Sequence, residues 1–161
     1  MSEPVPARPL PGWPAASPFV ALGVACVVAG GLVAAAVAMA PSELGSWAAA
    51  YLVLIGGVAQ VALGAGQALL APRPPGRRAV VAELVGWNAG NAAVLAGTLL
   101  GVTWLADVGG VLLVAALALA LAGIRGAVRR PSWPLHVYRA LVALVLVSIP
   151  VGLVIATLHP H

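Results

Sequence analysis

Five apolar runs separated by short polar gaps are the main pattern along this chain of 161 residues. A helix needs about 20 mostly apolar residues to cross about 30 Å of hydrocarbon. The stretch over residues 79–124 is nearly unbroken, and as one helix it would be about 69 Å long at 1.5 Å per residue, so it must fold back. We therefore expect five membrane spans, near residues 18–40, 46–71, 79–103, 108–124 and 135–158.

Turn-forming residues mark the gaps between these spans. Ser42 or Ser46 can cap the second helix, and the Pro-rich residues 72–76 end it because Pro cannot continue a helix. We expect the turn between the third and fourth spans at Trp104–Asp107, where an interfacial aromatic precedes a helix-capping acid. The domain organisation is then a disordered Pro-rich cytoplasmic tail (1–17), a single membrane domain (18–158) and a short C-terminal tail (159–161).

Arginine residues lie in alternate gaps, and the other two gaps carry acidic residues. Seven of the eight arginines follow this pattern: Arg8 before the first run, Arg73, Arg77 and Arg78 between the second and third, and Arg125, Arg129 and Arg130 between the fourth and fifth. Cytoplasmic loops of membrane proteins carry an excess of basic residues. The predicted fold class is therefore all-α: a polytopic integral membrane helical bundle of the cell inner (plasma) membrane, with five transmembrane helices, the N-terminus cytoplasmic and the C-terminus outside.

Composition agrees with this membrane prediction. Hydrophobic residues make up 62% of the chain and charged residues 7%, with a mean hydropathy of +1.07, whereas soluble domains have about 25% charged residues. The lipid bilayer must therefore cover much of the surface. We interpret the net charge of +4 as topogenic charge facing anionic lipid and expect no nucleic-acid partner. All basic residues except His are Arg, and Ala, Val and Gly dominate, which is typical of a high-GC bacterial genome.

Polar residues collect on one side of spans two and three. At 100° per residue they fall within one sector of each helix, together with several glycines. This polar stripe consists of Gln60, Gln67, Glu83, Asn88, Asn91 and Thr98. Small and amide residues hold helices together in lipid, so the stripe can be a packing seam. The alternative is that it lines the path of a small transporter or channel.

Glu83 is the only acidic residue that lies within a predicted span. An ionisable group at membrane depth suggests a functional site by default. It also lies about one turn from the predicted cytoplasmic interface, where it can pair with Arg78 or reach water. His136 and Arg139 begin the fifth span at a similar depth. We therefore consider a cytoplasmic-side cluster of Arg78, Glu83, His136 and Arg139 that binds an anionic headgroup or the edge of a quinone, with interfacial anchoring as the alternative.

Residues that usually carry catalysis or bind metals are sparse in this chain. It has three His and one Cys, and we find no nucleophile–base pair, phosphate loop or HExxH motif. His136 and His159 lie at opposite ends of the fifth span, roughly 35 Å apart along a helix, so they cannot ligate one haem within a monomer. His136 is the one candidate cofactor ligand. We predict no catalytic or metal site and no cofactor in the monomer; haem is the alternative, in a dimer or with a second subunit.

Residues 50–101 contain a pattern of Gly and Leu residues: YLVLIGG at 51–57, then Gly64, Pro72 and, after an Arg-containing loop, WNAG at 87–90. This segment resembles small bacterial membrane proteins related to haem–copper oxidase subunit I and to NnrS-type proteins. In those relatives a His lies near the start of the first of the two helices, whereas residues 47–51 here contain none. The resemblance implies a redox-associated helical scaffold without that ligand. We assign no site residue on the basis of this resemblance.

These observations favour a small multi-pass membrane protein. They fit a protein without catalytic activity better than they fit an enzyme. We expect a non-catalytic accessory subunit or assembly factor of a larger membrane complex, with a respiratory or redox complex indicated by the resemblance. Its partners would then be other membrane protein subunits or further copies of itself. Two alternatives stay open: a haem- or metal-binding membrane redox protein, and a small transporter or channel.

Overall fold

The computed structural model describes residues 12–71 and 75–123, and its secondary structure there is helical throughout. Its four long helices are α1 (Trp13–Met39), α2 (Glu43–Leu70), α3 (Arg77–Leu100) and α4 (Thr103–Gly123), and each is long and apolar enough to cross a membrane. The all-helical class is thus confirmed for this part of the chain. The predicted fifth span at 135–158, with His136 and Arg139, lies outside the described residues.

Helix α1 begins at Trp13, before the predicted start near Pro18, and includes part of the predicted disordered tail. Pro14 lies in the first turn, where its missing N–H is not needed for an intrahelical bond. Pro18 cannot donate a hydrogen bond to the carbonyl of Pro14, but the Ser17 hydroxyl donates to that carbonyl at 3.3 Å. The helix can therefore contain Pro18 without leaving the Pro14 acceptor unpaired.

Helix α2 begins after Ser42, one of the two caps that the sequence predicts. The Ser42 hydroxyl accepts a hydrogen bond from the Gly45 backbone N–H at 3.2 Å, and Glu43 lies in the first turn, where a negative charge is favourable. From Leu52 to Ala59 the helix has the wider π form, with hydrogen bonds between residues i and i+5. The angle around the helix axis between a residue before this π segment and one after it therefore cannot be calculated at 100° per residue.

The turn between α3 and α4 lies at Gly101–Val102, so the prediction of a turn at Trp104–Asp107 was wrong. Gly101 has φ +69°, in the left-handed region that costs other residues roughly 1–2 kcal/mol. The Val102 N–H donates to the Gly97 carbonyl at 2.8 Å, and the Gly101 N–H donates to the Thr98 carbonyl at 3.4 Å. These two bonds form a Schellman motif, which ends α3 before the aromatic–acid pair is reached.

Helices α1 and α2 form an antiparallel hairpin, the first hairpin, in which glycines bring the two backbones together. A Cβ at Gly23 would lie 2.9 Å from the Gly57 carbonyl oxygen, and one at Gly30 would lie 2.9 Å from the Ala49 carbonyl oxygen. Any larger residue at these positions would collide with the backbone of the partner helix. Glycine is therefore required here for close approach, as is common between helices in membranes.

Helices α3 and α4 form the second hairpin in the same way. A Cβ at Gly90 would lie 2.9 Å from the Gly109 carbonyl oxygen, and one at Gly97 would lie 2.5 Å from the Ala106 nitrogen. Gly90 and Gly97 are seven residues apart, as are Gly23 and Gly30 in α1. Seven residues are about two helical turns, so each pair lies along one face of its helix.

Close backbone approaches are frequent within each hairpin and few between the two hairpins. The hairpins meet instead through side chains. The hydrophobic core lies where α2 faces the second hairpin, and its buried members are Leu63, Trp87, Leu113, Ala116, Leu117 and Ala120. The boundary between the two hairpins also holds four polar residues of the predicted stripe: Gln60, Gln67, Glu83 and Asn91.

Candidate functional site

The buried pair Gln67 and Glu83 joins α2 to α3. Both side chains are 4% exposed, and the Gln67 Nε2 donates a hydrogen bond to the Glu83 Oε2. A buried carboxyl group without a hydrogen-bonding partner is costly, especially at membrane depth. Gln67 supplies that partner, so these two residues of the predicted stripe are brought together across the hairpin boundary.

Arg78 and Glu83 lie on different faces of α3. Arg78 is exposed and lines a groove with Arg77, while the described hydrogen-bond partner of Glu83 is Gln67. The other two members of the predicted cytoplasmic-side cluster, His136 and Arg139, lie outside the described residues. The four-residue cluster therefore stays a prediction, and the described part of it is divided between two faces of the helix.

A second hydrogen bond across the boundary joins Tyr51 to Asn91. The Tyr51 hydroxyl donates to the Asn91 Oδ1 at 2.9 Å, and the Asn91 Nδ2 donates to the Trp87 carbonyl at 2.8 Å. The Tyr51 ring stacks on Trp47, with ring centroids 5.1 Å apart. Both polar groups of the Asn91 side chain are thus paired within the protein.

Tyr51 was missed by the sequence analysis. At 100° per residue it would lie about 180° around α2 from Gln60. The wider turns of the π segment, which separates the two residues, place them on the same side of the helix instead. An α-helical projection could not have found Tyr51, because a local change of helix type is not visible in the residue spacing.

Asn88 and Thr98 pair within their own helix. The Asn88 Nδ2 donates to the Leu84 carbonyl, and the Thr98 Oγ1 donates to the Val94 carbonyl, both at 2.8 Å. Such bonds to the preceding turn satisfy the side chain without help from another helix. These two members of the stripe therefore do not contribute a side-chain bond between helices.

Gln60 and Trp87 are buried without a polar partner. Gln60 is 0% exposed, and within the described part of the chain neither atom of its amide has a hydrogen bond; the same holds for the Trp87 Nε1. Along α2, Gln60 lies between Tyr51 and Gln67, and along α3, Trp87 lies between Asn91 and Glu83. Among residues 12–71 and 75–123, the unpaired buried polar groups therefore lie in the middle of the boundary, at a cost to stability.

The space around Glu83 is closed. Phe19, Leu63, Gln67, Trp87 and alanines of α4 surround it, and they leave no room for a water molecule. Among residues 12–71 and 75–123, no three His, Cys, Asp or Glu residues lie close enough together to hold a metal ion. In this conformation the arrangement can join two hairpins and shield a carboxyl group from solvent.

No family model, curated protein or solved structure matches the chain. The resemblance to haem–copper oxidase subunit I and NnrS-type proteins therefore stays a prediction from the residues.

Proposed function

We propose that this chain is a multi-pass protein of the bacterial inner (plasma) membrane that acts as a non-catalytic accessory subunit or assembly factor of a larger membrane complex. The single observation that carries the proposal is the hydrogen-bonded polar boundary between the hairpins, which leaves no room for a water molecule beside Glu83. Its hydrogen-bonded side chains are bound to one another or to their own backbone. This arrangement therefore fits a structural scaffold better than a substrate-binding site.

The outer surface of the bundle is consistent with this role. Large apolar side chains are exposed on every described helix, for example Leu32, Leu54, Val85 and Val111. Surfaces of this kind face either lipid or the helices of another membrane protein. A respiratory or redox complex is the class of partner that the resemblance implies.

The proposal is tested by extracting the natively expressed, tagged protein in a mild detergent and measuring its mass, its protein composition and its optical spectrum. We expect a species well above the 16.0 kDa chain, containing other membrane subunits at fixed stoichiometry. We also expect deletion of the gene to reduce the amount of that assembled complex. Recovery of this chain alone, with every membrane complex intact in the deletion strain, would overturn the proposal.

The proposed topology has its own test. Single cysteines are introduced as Ser42→Cys, Pro74→Cys and Ser132→Cys in a Cys26→Ala background. With five spans and a cytoplasmic N-terminus, an impermeant thiol reagent added to intact cells should label the variant at position 42 and neither of the other two. Labelling at position 74 or 132 would contradict the arginine-based orientation.

A small transporter is the second candidate, because one observation favours it specifically. The unpaired amide of Gln60, midway along the boundary, could bind a polar solute if the hairpins separated. Reconstituted vesicles would then show solute or proton flux that Gln60→Leu abolishes. Absence of flux across a broad panel of solutes would exclude this candidate and leave the accessory role.

A further inference from the structure

Helix α3 carries a groove of about 680 Å³ on an exposed face. The described residues that line it are Arg77, Arg78, Val81, Ala82, Val85 and Gly86. They lie on successive turns, so they form a continuous strip along the helix. From Arg78 to Gly86 the strip is about 12 Å long at 1.5 Å per residue.

The groove is charged at one end and apolar along the rest. Arg77 and Arg78 lie at its start, and both are exposed. Val81 and Val85 are 50% and 60% exposed, so their side chains are open to a ligand. At the far end, a Cβ at Gly86 would lie 3.5 Å from the Ala116 Cβ, so the groove ends beside α4.

A groove at the opposite end of the bundle provides a comparison. It measures about 580 Å³, lies between the end of α1 and the start of α2, and has Ala, Val, Leu, Pro and Ser among its described lining residues but no charged one. The two grooves are thus similar in size and in apolar character. The two arginines make the difference, and they select for a ligand that carries negative charge.

We propose that the α3 groove binds an anionic phospholipid. The guanidinium groups of Arg77 and Arg78 pair with the phosphodiester, for which the planar, permanently charged Arg fork is well suited. One acyl chain then lies along Val81 and Val85. Glu83 does not oppose this charge, because it is buried on another face and bound to Gln67. This site does not depend on the proposed accessory role.

The test is native mass spectrometry of the full chain in detergent, titrated with phosphatidylglycerol or with phosphatidylcholine of the same acyl chains. We expect phosphatidylglycerol to bind about tenfold more tightly, as one or two charge-assisted hydrogen bonds would give. Arg77→Gln combined with Arg78→Gln should remove that preference. Arg129→Gln combined with Arg130→Gln changes the net charge equally and should preserve it. Equal losses in the two double variants would overturn the site in favour of general charge attraction.

A second variant separates a lipid from a free anion. Ala82→Phe places a ring in the apolar part of the groove without changing the charge, and it should weaken phosphatidylglycerol binding several-fold. Inorganic phosphate in millimolar excess should not displace the lipid. Displacement by phosphate, or unchanged affinity in a folded Ala82→Phe variant, would overturn the proposal. The melting temperature of each variant shows whether it is folded.

Discussion

The interiors of the two hairpins and the boundary between them are held together by different means. Within each hairpin the backbones touch at glycines such as Gly23, Gly57 and Gly90. At the boundary, longer side chains form the contact, and hydrogen bonds join Tyr51 to Asn91 and Gln67 to Glu83. The first kind of contact depends on the absence of a side chain, and the second depends on the presence of particular side chains.

The difference has a physical reason. Lipid offers no hydrophobic driving force for helix association, so helices in membranes rely on close packing and on hydrogen bonds. Close packing at glycines leaves no space for any substituent, whereas a bonded pair of side chains can be replaced by two apolar ones of similar shape. We therefore expect single substitutions in the hairpin interiors to lower the stability of the protein. At the boundary, we expect a substitution to lower stability mainly when it removes one partner of a hydrogen-bonded pair and leaves the other.

The largest effect is expected for Gly57→Leu. A Cβ at this position would already lie 3.1 Å from the Gly23 carbonyl oxygen and 2.5 Å from a Val27 methyl carbon. The longer side chain must separate α1 from α2, and we expect a loss of about 3 kcal/mol in the free energy of unfolding. The measurement is titration with SDS in mixed micelles, followed by far-UV circular dichroism.

Gly31→Leu is the matched control for that change. Gly31 is exposed on α1, and a Cβ there would have no neighbour within 4 Å. The same substitution should therefore leave stability within about 0.5 kcal/mol of the wild type. Similar losses at Gly31 and Gly57 would mean that close approach at glycines does not hold the first hairpin together.

The next effect concerns Gln67 and Glu83. Gln67→Leu leaves the Glu83 carboxyl without its described partner, and Glu83→Leu leaves the Gln67 amide without one, so each single change should cost about 1–3 kcal/mol. The double variant removes both polar groups and should recover most of this loss. The four proteins form a double-mutant cycle in the same unfolding assay. Additive losses would contradict the idea that the boundary tolerates matched replacement.

Gln60→Met is expected to stabilise the protein. It removes a fully buried amide that has no hydrogen bond in the described structure and keeps a side chain of similar length. The gain should be about 1 kcal/mol, because no existing bond is lost. A decrease in the free energy of unfolding would show that Gln60 has a partner in the folded protein, and flux measurements on the same variant would then become the priority.

The smallest effect is expected for Tyr51→Phe. This change removes one hydroxyl and leaves the ring stacked on Trp47, so it isolates the hydrogen bond to Asn91. Bonds between helices in membranes contribute about 0.6 kcal/mol on average, and we expect a loss of that size. A loss as large as that of Gly57→Leu would erase the distinction between the hairpin interiors and the boundary.

Local chemistry explains which parts of this structure could be predicted. Ser42 was one of the two predicted caps, because a hydroxyl and a backbone N–H within one turn decide a cap. The side of α3 that carries Glu83 and Asn91 was found because α3 is regular. The turn at Gly101 was missed because Trp104 and Asp107 offered a competing signal, although a left-handed glycine was the stronger one.

The sequence by itself determined that the described chain is helical, approximately where apolar helices of membrane-spanning length lie, and which side of α3 is polar. Periodicity and composition decide these properties, because they depend on each helix alone. Only the tertiary structure decided the pairing: Glu83 with Gln67 and not Arg78, Tyr51 with Asn91, and Gln60 with no described residue. Those choices depend on the distance between hairpins and on the π turns of α2, neither of which residue spacing contains.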